Sequence, residues 1–395
     1  MSDLHRAFVK KMKHHEMASG LPLLSEQEES GGQSLLALIQ DELKNNQPKR
    51  PPQPQNSPGQ QSPSDTNDTE DRNESESQII SQYELFTAGL FPVIEAYENQ
   101  GISLQTYYVP PKQVESPIFV FVHGAGSSSM SFAKLTEQLL NQDPSVGVLL
   151  YDIRGHGSSS DATDYSLEVL IDDFQLILNT FSLKHGVKNS VFLVGHSLGG
   201  AIVSGYAKRL TEHGNIKLNI KGICMLDIVE ETAVQSLGVM PLFIAKRPKS
   251  FETMKEAISW HMKLLLHNED SAKVSVPHLL KKDLSWKMDL KVTEPYWQTW
   301  FEGLSKNFLS FTKPKLLVLS THEALDKELI IGQMQGKYQL VVFNNNHDVG
   351  HFIQEDIPNQ LSVCLLDFVK RNESPAKFME QELGISPKWG GKINT

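Results

Sequence analysis

Short apolar runs alternate with longer amphipathic stretches along most of the chain. The runs at 117–122 (PIFVFV) and 146–151 (VGVLLY) are rich in β-branched and aromatic residues, which is typical of strands buried on both faces. Similar runs lie at 191–194, 223–229, 315–319 and 339–343. Residues 103–109 alternate loosely between apolar and polar positions, as an exposed edge strand does. These runs predict the strands of one extended sheet.

Helical periodicity fills the intervals between the apolar runs. The helical candidates lie at 130–140, 167–183, 198–210 and 358–370. Strands that alternate with helices of this length predict an α/β fold, with a mostly parallel sheet that helices cover on both faces. Between about 230 and 312 the strand pattern is missing, and helix-like segments rich in Trp, Met and Leu replace it. We expect this segment to form a helical lid.

The first fifth of the chain has a different composition. Residues 44–78 contain no aliphatic, aromatic or sulfur-containing residue, and they are rich in Pro and Gln first and acidic afterwards. A segment with nothing to bury cannot offset the entropy lost on ordering. We therefore expect residues 1–78 to be largely disordered, although 34–43 could form a short amphipathic helix. Residues 79–395 are expected to form one domain.

The formal net charge of the chain is −10, from 37 Lys and Arg against 47 Asp and Glu. An acidic balance argues against nucleic acid or an anionic membrane surface as the main partner. Residues 65–76 hold six acidic residues and one Arg, so half of the excess charge comes from this short segment. The charge therefore says little about the substrate, and the sequence leaves the oligomeric state unknown.

Cysteine content and hydropathy bear on the cellular compartment. The two cysteines, Cys224 and Cys364, lie among apolar residues and can form neither a disulfide framework nor a four-ligand zinc site. No run of about 18 apolar residues predicts a membrane-spanning helix, and the first residues lack the apolar stretch of a secretory signal. We expect a soluble intracellular protein, cytoplasmic or nuclear. The basic segment 6–13 leaves a minor mitochondrial pool open.

The pentad Gly195-His196-Ser197-Leu198-Gly199 carries the most information about chemistry. It follows the apolar run 191–194 and leads into a stretch of small residues typical of a helix that packs closely on a sheet. A G-x-S-x-G sequence in this context predicts a nucleophile elbow, in which a sharp strand-to-helix turn exposes the serine hydroxyl. The adjacent helix N-terminus favours developing negative charge. Ser197 is the predicted nucleophile.

Glycine-rich residues after the first long apolar run predict the oxyanion hole. His123-Gly124-Ala125-Gly126 follows directly on 117–122, where a glycine turn lets backbone N–H groups face a bound carbonyl. We assign the hole to the N–H groups of Ala125 and Leu198, with Gly124 as a close alternative. The later sequence DIRGHGS (152–158) ends the next strand and is expected to support the loop structurally.

A serine needs a general base, and the chain offers 14 histidines. The order serine, acid, histidine expected for this kind of elbow places the base late, after the last strand. His351 and His347 both follow the run 339–343, and His351 is preferred because it is nearer the next helix. His196 lies inside the elbow and cannot bend back onto Ser197.

Two aspartates compete for the position of the acid. Asp227 lies near the end of the apolar run 223–229, where a buried carboxylate is costly unless it has a partner such as the histidine. Asp326 follows the later run 315–319, the position used by most enzymes of this architecture. The residues themselves leave the two alternatives nearly even.

Several segments together resemble the protein phosphatase methylesterases. The resembling segments are GHSLGGAI (195–202), MLDIVEETA (225–233), RPKSF (247–251), YWQTWFEGLS (296–305) and LDKELIIGQMQGKYQ (325–339). Gly350-His351, followed by EDIP at 355–358, matches too. The resemblance runs with gaps from about residue 91 to 368, and the GQMQGK and WFEGLS segments are far more specific than G-x-S-x-G.

This resemblance implies an α/β-hydrolase fold with a helical lid and a serine carboxylesterase activity. Its substrate would be the methyl-esterified C-terminal leucine of the type 2A protein phosphatase catalytic subunit. Carried onto this chain, the nucleophile falls on Ser197, the acid on Asp227 and the base on His351. The family often has a further glycine where Ala125 stands, but an alanine N–H donates equally well. A long acidic lid insertion that the family often carries is short here, at 268–284.

Such a reaction needs no metal and no organic cofactor. The aromatic and Met residues of the lid are candidate walls for a leucine pocket, although packing of the lid is the preferred explanation for each of them: Trp260, Trp286, Trp297, Trp300, Met240 and Phe243. The cations Lys246, Arg247 and Lys249 could receive acidic groups of the phosphatase or simply be solvated. Two other functions stay open, a small-molecule carboxylesterase or lipase and a phosphatase-binding inhibitor with a secondary esterase site.

Overall fold

The computed structural model describes residues 67–214, 218–321, 325–343 and 349–373. The possible helix at 34–43 and the alternative base His347 lie outside these residues. The first part contains helix α1 (Asn67–Leu90), strands β1 (Val93–Asn99), β2 (Ile102–Val109) and β3 (Ile118–Val122), a 3₁₀ turn (Ser129–Phe132), helix α2 (Ala133–Gln142) and strand β4 (Gly147–Tyr151). Helix α3 (Leu167–His185), strand β5 (Ser190–His196), helix α4 (Leu198–His213) and strand β6 (Asn219–Leu226) follow.

The elements after β6 are helical up to the next strand. They are α5 (Glu230–Leu237), α6 (Met240–Lys246), α7 (Met254–Leu264), α8 (Glu269–Leu279), a 3₁₀ helix (Leu290–Tyr296), α9 (Trp297–Phe301) and α10 (Leu304–Ser310). The chain then forms β7 (Lys315–Leu319), α11 (Lys327–Met334), β8 (Gln339–Val342), α12 (Ile353–Asp356) and α13 (Pro358–Glu373). Every described element between β6 and β7 is a helix, as expected for a lid.

Eight strands form one sheet in the order β1-β2-β4-β3-β5-β6-β7-β8. Strands β3 to β8 pair in parallel, whereas β1 and β2 pair with each other and β2 pairs with β4 in antiparallel fashion. The predicted α/β fold with a mostly parallel sheet is thus confirmed. The expected edge position of 103–109 is wrong, because β1 covers that strand from outside. The strand β1 contains Glu95, Glu98 and Asn99, and these polar residues hid it from the hydropathy pattern.

Alternation along the buried strands divides the core between the two faces of the sheet. In β3, Val120 and Val122 face the cluster that includes α3 and α4, whereas Phe119 and Phe121 face the cluster that includes α2 and α13. All five residues of β3 are buried. A third cluster, around Phe251, lies within the lid. The continuous apolar runs of β3, β4 and β7 therefore follow from burial on both faces. The run 339–343 differs, because β8 lies at the edge of the sheet and is only half-buried.

Helix α1 crosses the boundary that the composition suggested. It begins at Asn67, so that residues 67–78, which we expected to be disordered, are helical. The chain has no proline between Pro63 and Pro92, so the backbone does not prevent a helix here. Contacts made by the second half of α1 explain why this segment is helical. Ile79 and Ile80 pack against the lid cluster, and the hydroxyl of Tyr83 donates to Nδ1 of the lid residue His278 at 2.5 Å.

Candidate active site

Ser197 lies in a sharp turn between β5 and α4. Its backbone has φ 52° and ψ −120°, a conformation that costs a non-glycine residue roughly 1–3 kcal/mol. The flanking glycines make this turn possible. A Cβ atom at Gly195 would lie 2.1 Å from the carbonyl oxygen of Gly199, and one at Gly199 would lie 2.1 Å from that of Val122. The turn therefore has the geometry of a nucleophile elbow at the carboxyl end of the sheet.

Asp227 and His351 meet at the same edge of the sheet. Asp227 directly follows β6 and is buried, and its Oδ2 accepts a hydrogen bond from Nδ1 of His351 at 2.9 Å. Its Oδ1 accepts from the N–H of Ser320, which directly follows β7, at 2.7 Å. Because Nδ1 donates to the carboxylate, the neutral imidazole of His351 keeps a free lone pair on Nε2, as a general base requires.

His196, the residue before the serine, holds the backbone of His351. Its Nε2–H donates to the carbonyl oxygen of His351 at 2.8 Å, and the two ring centroids lie 4.6 Å apart. Burial lowers the pKa of His196 well below its ordinary value, so this imidazole stays neutral and has a single N–H to donate. The elbow and the histidine loop are thus joined directly. The sequence rejects His196 as a base but contains no local signal for this contact.

The loop 123–126 passes beside the serine. A Cβ atom at Gly124 would lie 3.0 Å from the Cβ of Ser197. The N–H of Gly126 is already used, since it donates to Nε2 of His156 at 3.0 Å. Within the described residues no acceptor is found for the N–H of Ala125, and the N–H of Leu198 belongs to the first turn of α4, where helices leave their N–H groups unpaired.

The other two histidines near the site support this loop. Nδ1–H of His123 donates to the Gly124 carbonyl at 2.8 Å, and its Nε2 accepts from the N–H of Ile153 at 3.0 Å. Burial lowers the pKa of His123 to about 3, so it bonds as a neutral ring. Nδ1–H of His156 donates to the carbonyl of Arg154 at 2.9 Å. Both side chains hold turns in place.

The DIRGHGS sequence likewise forms structural contacts. Asp152 is fully buried and accepts from the N–H groups of Ser129 and Ser158, each at 2.8 Å, and from Nε2 of His278 at 3.0 Å. Arg154 binds both oxygens of Asp173, at 2.6 and 2.8 Å. The Asp152 carboxylate therefore joins the segments that contain Ser129 and Ser158 to lid helix α8.

Asp326, the alternative acid, has a different position. It is the N-cap of α11, where its Oδ1 accepts from the N–H of Leu329 at 3.0 Å, and its Oδ2 accepts from the hydroxyl of Ser305. Glu230 in turn accepts from the N–H groups of Gly303 and Ser305, each at 2.9 Å. These bonds connect three of the segments that resemble the methylesterases: MLDIVEETA, YWQTWFEGLS and LDKELIIGQMQGKYQ. Their contacts with one another are a structural reason for the three segments to occur together.

The aromatic residues of the lid pack in two places. Trp297 and Trp300 are buried in the main core, and Nε1 of Trp300 donates to the carbonyl of Tyr165 at 2.8 Å. Trp260 and Trp286 pack against Phe251 and each other in the lid cluster in tilted and edge-to-face contacts, with ring centroids 5.4 to 6.0 Å apart. Packing thus accounts for all four tryptophans. In the described part of the chain, no three metal-ligating side chains lie together.

Comparison with known proteins decides the family. Residues 119–361 match the model of the alpha/beta hydrolase family. The chain is 48% identical over 404 aligned residues to a protein from Candida albicans named protein phosphatase methylesterase 1, with complete coverage of both chains. The chain belongs to the protein phosphatase methylesterase family. A namesake from Saccharomyces cerevisiae is 40% identical over 314 residues, covering 74% of this chain and 76% of its own.

Solved structures support the fold of this methylesterase family member. E-2-(acetamidomethylene)succinate hydrolase aligns with a TM-score of 0.57 and 18% identity, covering 70% of this chain and 98% of its own. A thioesterase domain from the curacin biosynthetic pathway aligns with a TM-score of 0.53 and 16% identity, over 69% and 99%. The family and the fold make this methylesterase a carboxylic ester hydrolase. Within the described residues, no helix is long and apolar enough to span a membrane.

Proposed function

We propose that this protein removes the methyl group from the methyl-esterified C-terminal leucine of the type 2A protein phosphatase catalytic subunit. The observation that carries the proposal is the hydrogen bond of 2.9 Å between His351 and Asp227, next to the serine elbow. Relatives of the chain that are named protein phosphatase methylesterase 1 indicate the substrate. In this proposal Ser197 is the nucleophile, His351 the base and Asp227 the acid. An intracellular location, expected from the sequence, fits a phosphatase as the partner.

The reaction proceeds in two halves. Nε2 of His351 takes the proton of the Ser197 hydroxyl while Oγ attacks the ester carbonyl, and the carboxylate of Asp227 stabilises the imidazolium. The N–H groups of Ala125 and Leu198 stabilise the oxyanion. His351 then returns the proton to the departing methoxide, so methanol leaves and an acyl-enzyme remains. Water, deprotonated by His351, attacks the acyl-enzyme and releases the free leucine carboxylate.

The function is tested with the methylated catalytic subunit of the phosphatase and the Ser197→Ala variant. Wild type should release methanol, and the variant should lose at least about 10³-fold in rate, because the nucleophile is absent. Ser204→Ala is the matched control, since it removes a buried serine hydroxyl within α4, the helix that follows Ser197, and should leave the rate within about two-fold.

Other outcomes separate the competing functions. Methanol release by Ser197→Ala at the wild-type rate would exclude Ser197 as the nucleophile. Fast hydrolysis of small aryl esters without demethylation of the phosphatase would favour a small-molecule carboxylesterase. Tight binding of the methylated phosphatase with no methanol release would favour an inhibitor.

A further inference from the structure

The lid contains a well-ordered guanidinium. Arg247 directly follows α6, and its Cζ lies 3.3 Å from the centroid of the Trp286 ring. Nε1 of the same indole donates to the carbonyl of Pro248 at 2.7 Å. Trp286 therefore holds both the side chain of Arg247 and the backbone that follows it, so the charge has a defined position.

This guanidinium has no carboxylate partner among the described residues. Its Nε is buried and lacks an acceptor, and no ion pair forms with Asp289, the acidic residue whose charge acts on it. Burial lowers the pKa of Arg247 to about 9. By contrast, Arg154 pairs with Asp173, and Arg209 pairs with two carboxylates on α3. A charge removed from water without a partner costs free energy, which an incoming anion would offset.

The charge of Arg247 acts on a residue that supports the loop beside Ser197. This charge adds to burial in lowering the pKa of His156, whose Nε2 accepts from the N–H of Gly126 in the loop 123–126. On the other side of that loop, a Cβ atom at Gly126 would lie 2.8 Å from the Leu290 side chain, and Leu290 follows Asp289. Arg247 and the loop that carries Ala125 thus both neighbour His156.

We propose that Arg247 is a carboxylate-binding subsite that pairs with an acidic side chain of the substrate, upstream of the esterified leucine. This inference rests on the proposed function. A methyl ester is uncharged until methanol leaves, so an anion that helps the substrate to bind must belong to a side chain elsewhere on the peptide. The planar guanidinium, fixed on an indole face, suits bidentate binding of a carboxylate.

The test uses six-residue peptides that end in leucine methyl ester. Each carries a single Glu at the second, third or fourth position before the leucine, and each has a Gln counterpart. For the peptide whose Glu reaches Arg247, wild type should show a kcat/KM about 10-fold above the Gln peptide, mainly through KM. This preference should shrink as salt is raised. Arg247→Gln should reduce the ratio to about one.

A neighbouring cation supplies the control. Lys249 is exposed, and Lys249→Gln should keep the Glu preference. Equal losses of Arg247→Gln on the Glu and Gln peptides would show a purely structural role and overturn the subsite. Wild type that cleaves all peptides without a Glu preference would overturn the subsite but leave the methylesterase function intact. Wild type that hydrolyses aryl esters but no peptide methyl ester would overturn both.

Discussion

Backbone strain marks two of the three proposed catalytic residues. In the described part of the chain, Ser197 and Asp227 are two of four non-glycine residues with positive φ, at 52° and 49°. Strained backbone is retained where the surrounding structure requires it, and such positions cluster at functional sites. The two strained residues directly follow β5 and β6, at the carboxyl edge of the sheet, where the His351 ring lies. These outliers are therefore an argument for function that is independent of the motif.

The roles of the two aspartates can be separated by amide substitutions. Asp227→Asn should lower kcat about 10⁴-fold, because an amide cannot hold His351 in the required tautomer or stabilise the imidazolium. Asp326→Asn should keep kcat within a few-fold, because Asp326 caps α11 and asparagine is also a good N-cap. Steady-state hydrolysis of an aryl ester measures both. A larger loss for Asp326→Asn than for Asp227→Asn would reverse the assignment.

Local sequence is enough for some site residues and insufficient for others. The glycines around Ser197 indicate the elbow, because a Cβ atom at either position would collide with the backbone. The pentad itself therefore predicts the turn. The acid is different. An aspartate after β6 and an aspartate that caps a helix look alike in sequence, and the contact that distinguishes them, with His351, joins residues 124 positions apart. The bond from His196 to the His351 carbonyl is hidden for the same reason.

The elbow depends on close contact between α4 and the sheet. Gly199→Ala should destabilise the protein by about 3 kcal/mol or more and abolish esterase activity, because the new methyl group would lie 2.1 Å from the Val122 carbonyl oxygen. Backbone atoms cannot rotate away as a side chain can. Urea unfolding at pH 7.5 measures the loss.

Gly89→Ala in α1 is the control for that substitution. A Cβ atom at Gly89 meets nothing within 4 Å, so alanine there should be neutral or stabilise the helix by up to about 1 kcal/mol. Equal stability of Gly199→Ala and wild type would contradict the packing described for the elbow.

Element prediction succeeded where burial is uniform. The central strands are hydrophobic throughout because both faces are covered, and β7 has the predicted bounds. Prediction failed at the margins of the sheet. Polar residues in β1 concealed a strand, and the polar first half of α1 gave no hydrophobic signal for a helix. In both cases neighbouring elements determine the conformation, which a local pattern cannot register.

Four buried histidines make the stability of the whole molecule depend on pH. Burial lowers the pKa values of His123 to about 3 and of His261 to about 4, and it also lowers those of His156 and His196. The unfolded chain binds protons at these residues below pH about 6.5, whereas the folded chain binds them only at lower pH. Their contribution is therefore complete above that pH and is lost as the pH falls.

One carboxyl group has the opposite effect. Burial raises the pKa of Glu355 well above its ordinary value, so the folded chain keeps a proton that the unfolded chain releases above pH about 4.5. Of these histidines, His123, His196 and His261 have pKa values low enough to be neutral near pH 5 in the folded chain. Three histidines less one glutamate give a net uptake of about two protons on unfolding near pH 5.

The free energy of unfolding should consequently fall by about 3 kcal/mol per pH unit near pH 5, since each proton contributes about 1.4 kcal/mol per unit. Urea titrations between pH 7.5 and 4.5 measure this slope. His261→Gln should reduce the slope by about 1.4 kcal/mol per pH unit, because it removes one of these buried rings, whose Nδ1–H donates to the Ala257 carbonyl. A stability that stays constant from pH 7 to 5 would contradict the burial of these rings.

The hydrogen bonds that Gly303 and Ser305 donate to Glu230, and that Ser305 donates to Asp326, also constrain how the lid can move. They join the first lid helix to the last and then to α11, which follows β7. When part of a protein opens locally, the bonds that break are those between its cooperative units. Here the two ends of the lid are fastened together and to the sheet domain. Any opening of the lid therefore has to involve the helices between its two ends, because the ends are held to each other and to α11.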